Sequence, residues 1–140
     1  MTEAPTLTLC KSPELLGKYS AQISKYLHRL EDRTDGFYTA EKVSRRFVDG
    51  NWHCWIIKKG ERVVAVGGSY FWEDDSGNRI FTPEFVEGDD YDDWFPFADF
   101  VYEWSKKVGC SMAYCKARKS HARRALAGWK VTHSIFERRT

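Results

Sequence analysis

Three strand-length runs joined by two turn signals constrain this chain more than any other feature. WHCWII (52–57) leads into Lys59-Gly60, RVVAVGGSYFW (62–72) leads into EDDSGN, and RIFTPEF (79–85) follows. β-Branched and aromatic residues dominate each run, and glycine-bearing turns reverse the chain between them. The segment therefore predicts an antiparallel meander. Gly67-Gly68, in the middle run, marks a bulge or the close approach of another group to the backbone.

The flanks alternate strand and helix signals. TLTLC (6–10) reads as a short strand. Ser12-Pro13 opens a helix, a hydroxyl cap followed by a proline whose missing N–H costs nothing in the first turn. Leu15, Tyr19, Ile23, Tyr26, Leu27 and Leu30 recur at helical spacing, to about residue 30. Thr39 caps a second helix carrying Val43 and Phe47, closed by Asp49-Gly50. After the meander a helix is expected over 93–108, with Pro96 in its first turn and Trp94, Ala98, Val101 and Tyr102 facing inward. A strand over 110–117, a short helix over 120–128 and a last strand over 129–139 complete the pattern. The order β-α-α-β-β-β-α-β-α-β implies one α+β domain over residues 1–140, with a mixed, mainly antiparallel sheet and helices on both faces.

Charge is sorted along the chain. Over 84–93 fall Glu84, Glu87, Asp89, Asp90, Asp92 and Asp93, and over 116–124 fall Lys116, Arg118, Lys119, Arg123 and Arg124. One acidic and one basic face are expected. The net charge of +2 is too small to argue for nucleic acid, and aromatics do not interleave with the basic run. Cys10, Cys54, Cys110 and Cys115 form no C-x-x-C pair, and no histidine lies near them at zinc spacing. They read as buried free thiols in a reducing cytoplasm, with no metal. His121 beside Ser120 reads as an exposed imidazole at a helix cap. MTEAPTLTLC lacks the basic region and apolar run of a signal peptide, and no stretch approaches the roughly 18 apolar residues of a membrane span.

The aspartates admit three readings. Carboxylates in a first helical turn stabilise it and can cap its free N–H groups. They can instead form an acidic docking surface or cation site. A phosphate cradle is disfavoured, because two like charges about 5 Å apart repel by roughly 3 kcal/mol at an effective dielectric of 20.

The element order, closing on KKVGCSMAYCKARKSHARRALAGWKVTHSIFERR, resembles the GCN5-related N-acetyltransferase (GNAT) family, and within it small divergent GNAT-like proteins encoded by tailed phages. Val108-Gly109 and Gly128-Trp129 match the family's glycine positions. The resemblance implies acetyl-CoA in a gap beside a splayed strand, its pyrophosphate on backbone amides of a glycine-rich loop. EFVEGDDYDDWF keeps only Gly88 of that loop, and Lys116 and Arg118 are the nearby cations for a coenzyme. It also implies a glutamate base on the splayed strand, for which Glu84 and Glu87 qualify. The tyrosine acid of the family is replaced by Arg124, with Tyr114 as a substitute, and Ala117 stands where an asparagine is often found.

Two functions are carried forward. The first is a non-catalytic GNAT-fold protein, a phage virion or virion-associated assembly component without cofactor, in the host cytoplasm or the virion. It would bind copies of itself or other virion proteins through Asp89, Asp90, Asp92, Asp93, Trp94, Arg118, Lys119, Arg123 and Arg124. The alternative is an acetyl-CoA-dependent N-acyltransferase.

Overall fold

The computed structural model describes residues 4–89 and 91–115; the helix expected over 120–128 and the strand over 129–139 lie outside them. Its sheet has five strands in the order β1-β2-β3-β4-β5. They are β1 (Thr6–Leu9), β2 (His53–Lys59), β3 (Arg62–Glu73), β4 (Arg79–Gly88) and β5 (Met112–Ala113). The first four pair antiparallel and β5 joins β4 parallel. The meander is as the sequence predicts, with β4 three residues longer than expected at its C-terminal end.

Helices cover both faces. Successive strand residues point to opposite sides, so Ile56 and Ile57 enter different cores. On one side α1 (Pro13–Lys18), α2 (Ser20–Arg33) and α3 (Ala40–Val48) bury Ile23, Leu27, Leu30, Val43 and Phe47 against Ile56, Val63, Val66 and Phe85. The caps at Ser12 and Thr39 form as expected, accepting from the N–H groups of Leu15 and Lys42 at 3.2 and 3.3 Å. On the other side Leu7, Ile57, Val64 and Ala65 meet Trp94 and Phe97. Trp104 adds an aromatic cluster there, its ring 4.9 Å from Trp55, 5.6 Å from Phe71 and 5.9 Å from Phe81.

Two helices differ from expectation. The helix predicted over 13–30 breaks at Tyr19 (φ −105, ψ 9) and continues to Arg33. Tyr19 is held by the sheet: its hydroxyl donates to Glu61 at 2.9 Å and accepts from Lys58 at 2.8 Å. The helix predicted over 93–108 is divided into α4 (Tyr91–Trp94) and α5 (Phe97–Lys107). Pro96 occupies the α5 N-cap, a position where its own side chain offers no acceptor to the free N–H groups. Proline has no N–H to continue the earlier turn and restricts Phe95 before it. The inward face also runs further than read, through Phe97 and Trp104 to the buried Ser105.

The expected irregularity at Gly67-Gly68 is present, as a shift of register between Gly68 and Ser69. Gly68 faces Phe85 and Ser69 faces Pro83, which leaves Glu84 as the extra residue of a bulge on β4. Proline in a strand is confined mainly to edges and bulges, and Pro83 adjoins this bulge. Gly68 is also a site of close approach: a Cβ there would lie 2.5 Å from the Phe85 ring and 3.2 Å from that of Trp52.

Candidate active site

Among the described residues the two parallel strands pair only briefly. The β4–β5 ladder holds two rungs, Ile80–Met112 and Phe81–Ala113, and the Tyr114 N–H adds a last bond to the Phe81 carbonyl at 2.9 Å. From Thr82 to Gly88, β4 keeps its β3 partner but has no β5 partner among the described residues. Such a flank offers backbone donors and acceptors to an extended, amide-bearing ligand.

Glu84 stands on this unpaired half. Bulges re-aim side chains, and here the extra residue carries the carboxylate. The Tyr38 hydroxyl donates to Glu84 Oε1 at 2.6 Å. Three weak acids lie around Glu84. Burial first, then Glu84, pushes the Tyr38 hydroxyl well above its ordinary range and raises Tyr70. The same causes in the same order lift the Cys115 thiol to about 11. All three therefore keep their protons at neutral pH. Tyr114 approaches from β5, its ring 5.9 Å from Trp72, whose indole N–H donates to Thr82 Oγ1 at 2.9 Å.

Glu87, the other proposed base, faces elsewhere. It is 8 % exposed and accepts from Arg33 Nε at 2.7 Å, with Arg29 at 3.6 Å, so its lone pairs are committed to α2. Asp89 is tied to the same helix, accepting from Arg29 at 2.8 Å and from the Tyr26 hydroxyl at 2.9 Å. The continuous acidic face expected over 84–93 is therefore interrupted: its first three carboxylates have partners. Gly88 packs against β3, where a Cβ would lie 2.5 Å from that of Ala65 and 2.7 Å from the Val64 carbonyl. The same carbonyl accepts the Asp89 N–H at 2.9 Å.

The Arg29 guanidinium beside Asp89 holds its carboxyl below the ordinary 3.8. A carboxyl lowered on folding stabilises the fold above its unfolded pKa, and the gain is lost as pH falls through the folded value. Both side chains are more than a third exposed, so solvent screens the pair and the effect is small. Asp89→Asn should be less stable than wild type at neutral pH and flatter in its acid limb below 3.8; denaturant midpoints against pH check this, and parallel curves would contradict it.

The remaining candidates scatter. Trp94 is half-buried against the Ile57–Val64–Ala65 core, Asp92 is exposed, and Asp93 belongs to α4. Asp90, Lys116, Arg118, Lys119, Arg123 and Arg124 lie outside the described residues, as do Ala117, Ser120 and His121. Cys10, Cys54 and Cys110 are buried and Cys115 half-buried, all free thiols. Among the described residues no group of His, Cys, Asp or Glu could hold a metal ion, and no helix is long and apolar enough to cross a membrane.

Solved structures share this arrangement over nearly the whole chain. Glucosamine-6-phosphate N-acetyltransferase from Arabidopsis thaliana superposes with a TM-score of 0.68 at 13 % identity, covering 99 % of both chains. The fold is that of the GCN5-related N-acetyltransferases. A GNAT family acetyltransferase from Staphylococcus aureus matches with a TM-score of 0.64 at 11 % identity over 100 % of both chains. An aminoglycoside acetyltransferase from an uncultured soil metagenomic sample, in complex with sisomicin, matches with a TM-score of 0.67 at 11 % identity, over 96 % of this chain and 97 % of that one. No family model matches the sequence, and comparison with curated proteins finds no match. At such identities the likeness establishes the GNAT fold.

Proposed function

We propose that this chain is an acyl-CoA-dependent N-acyltransferase with Glu84 as its general base. One observation carries the reading: a carboxylate at a bulge of β4, on the half of β4 that has no β5 partner among the described residues, with hydroxyls and a thiol around it that stay protonated at neutral pH. The acetyltransferase neighbours support the same direction.

The two ends of an acyl-CoA meet different surroundings in this site. The open flank of β4 from Thr82 onward suits an extended pantetheine arm, whose amides can pair with backbone groups. The Gly88–Asp89 corner suits a diphosphate poorly, since Gly88 is filled against Ala65 and the Asp89 amide is spent on Val64. Acyl-CoA, when bound, supplies a thioester carbonyl open to attack. Glu84 attracts the protonated amine, orients it and removes its proton, directly or through one water. Tyr38 fixes the carboxylate through its 2.6 Å hydrogen bond. Tyr114, which follows β5, is the residue proposed to donate its hydroxyl proton to the departing thiolate.

A second reading, a catalytically silent assembly protein such as a virion component, is favoured by the filled Gly88–Asp89 corner. Titration calorimetry with acetyl-CoA separates the two. A micromolar dissociation constant and thiol release in the presence of a primary amine are expected. Absence of binding at millimolar acetyl-CoA would overturn the transferase reading.

A further inference from the structure

The surroundings of Glu84 are aromatic rather than polar. Trp52 stacks on Tyr70 at 5.7 Å with 15° between the planes and meets Tyr38 edge-on at 6.3 Å. The loop between α2 and α3 delivers Tyr38 together with Phe37. Two left-handed residues, Asp35 (φ 54) and Gly36 (φ 80), turn the chain there, and the Tyr38 N–H donates to Thr34 Oγ1 at 3.2 Å. Phe37 lies edge-on to Tyr38 at 5.0 Å yet remains 69 % exposed. A large ring held in the open contributes little to the core and is available to a ligand. The Arg46 guanidinium lies 4.6 Å from the centre of the Trp52 ring and makes no ion pair among the described residues.

We propose, resting on the transferase reading, that the acceptor is a primary monoamine carried on a flat aromatic group, its ammonium toward Glu84 and its ring against Phe37 and Tyr70, with Trp52 backing Tyr70. Charge complementarity selects the ammonium, and the ring faces that attract a cation also bury an aromatic body. Arg46 repels a second ammonium, which disfavours polyamines. An amino sugar would lose water from several hydroxyls against walls that return few hydrogen bonds.

The test uses the purified chain, acetyl-CoA and three amines: phenethylamine, glucosamine and spermidine. Thiol release should give phenethylamine a kcat/KM at least about tenfold above the others, the order of one favourable aromatic or cation–π contact. Phe37→Ala removes an exposed ring, so the fold survives, and should lower the preference for phenethylamine over ethylamine by roughly fivefold to tenfold. Calorimetry of phenethylamine without acyl donor provides a readout independent of turnover. Preference for glucosamine or spermidine would overturn this acceptor class and leave the transferase standing. Binding of phenethylamine weakened by Phe37→Ala, with no amine acetylated, would support the amine site and sink the transferase. Neither binding nor turnover would overturn both.

Discussion

Glu84→Gln should reduce acyl transfer about 10²–10⁴-fold, the usual contribution of a positioned general base. Glutamine keeps the shape of the side chain, and its amide oxygen can still accept the Tyr38 hydroxyl that lies 2.6 Å from Glu84. What it lacks is the charge and the basic lone pair. The loss should therefore appear in turnover, with acetyl-CoA affinity little changed, because the open flank of β4 is a backbone feature. Thiol release at saturating acetyl-CoA, with calorimetry on the same variant, measures the two separately. A variant as fast as wild type would remove Glu84 from the chemistry. Glu87→Gln is the comparison: its partners are Arg33 and Arg29, so its principal effect should be on stability.

The largest loss of stability is expected from Phe81→Ala. Phe81 is 1 % exposed, and its ring meets Phe71 at 6.0 Å and Trp104 at 5.9 Å. Truncating a buried phenylalanine leaves a cavity as well as lost transfer energy, about 3–5 kcal/mol in all. The residue also forms the last rung with Ala113 and accepts from the Tyr114 N–H. Loss of the ring should loosen β5 where it leaves β4, so faster amide exchange at Ala113 and Tyr114 should accompany the lower urea midpoint. A change below about 1 kcal/mol would mean that the aromatic cluster closes around the gap.

The scaffold was legible because its signals are local. The caps at Ser12 and Thr39, the turn residues between the strands and the helical spacing of Ile23, Leu27 and Leu30 each act within a few residues. The irregularity opposite Gly68 was visible too, yet its extra residue is Glu84 on the facing strand. Pro83 carried that information: a proline inside a strand pattern marks a place where the ladder yields. The site was less legible. Tyr38 lies in a loop without periodicity, and its partner is 46 residues away. Arg29 and Arg33 read as an ordinary exposed pair one turn apart, while the carboxylates they hold come from the far end of β4. A run of acids suggests one wall in sequence, but the pleat and the bulge send Glu84 to Tyr38 and Glu87 to α2.

Strands with a bare flank ordinarily recruit other strands, and proteins pay for that exposure with aggregation unless something spoils the template. Along the half of β4 that lacks a β5 partner among the described residues, the spoiling sits beside Glu84. Pro83 withholds one donor and the adjoining bulge throws later residues out of step, so an invading chain cannot keep its repeat across Glu84. A short guest has no such repeat to keep. In the transferase reading, the distortion that aims the carboxylate would also screen visitors by length, admitting small molecules and denying the cleft to polymers of its own kind.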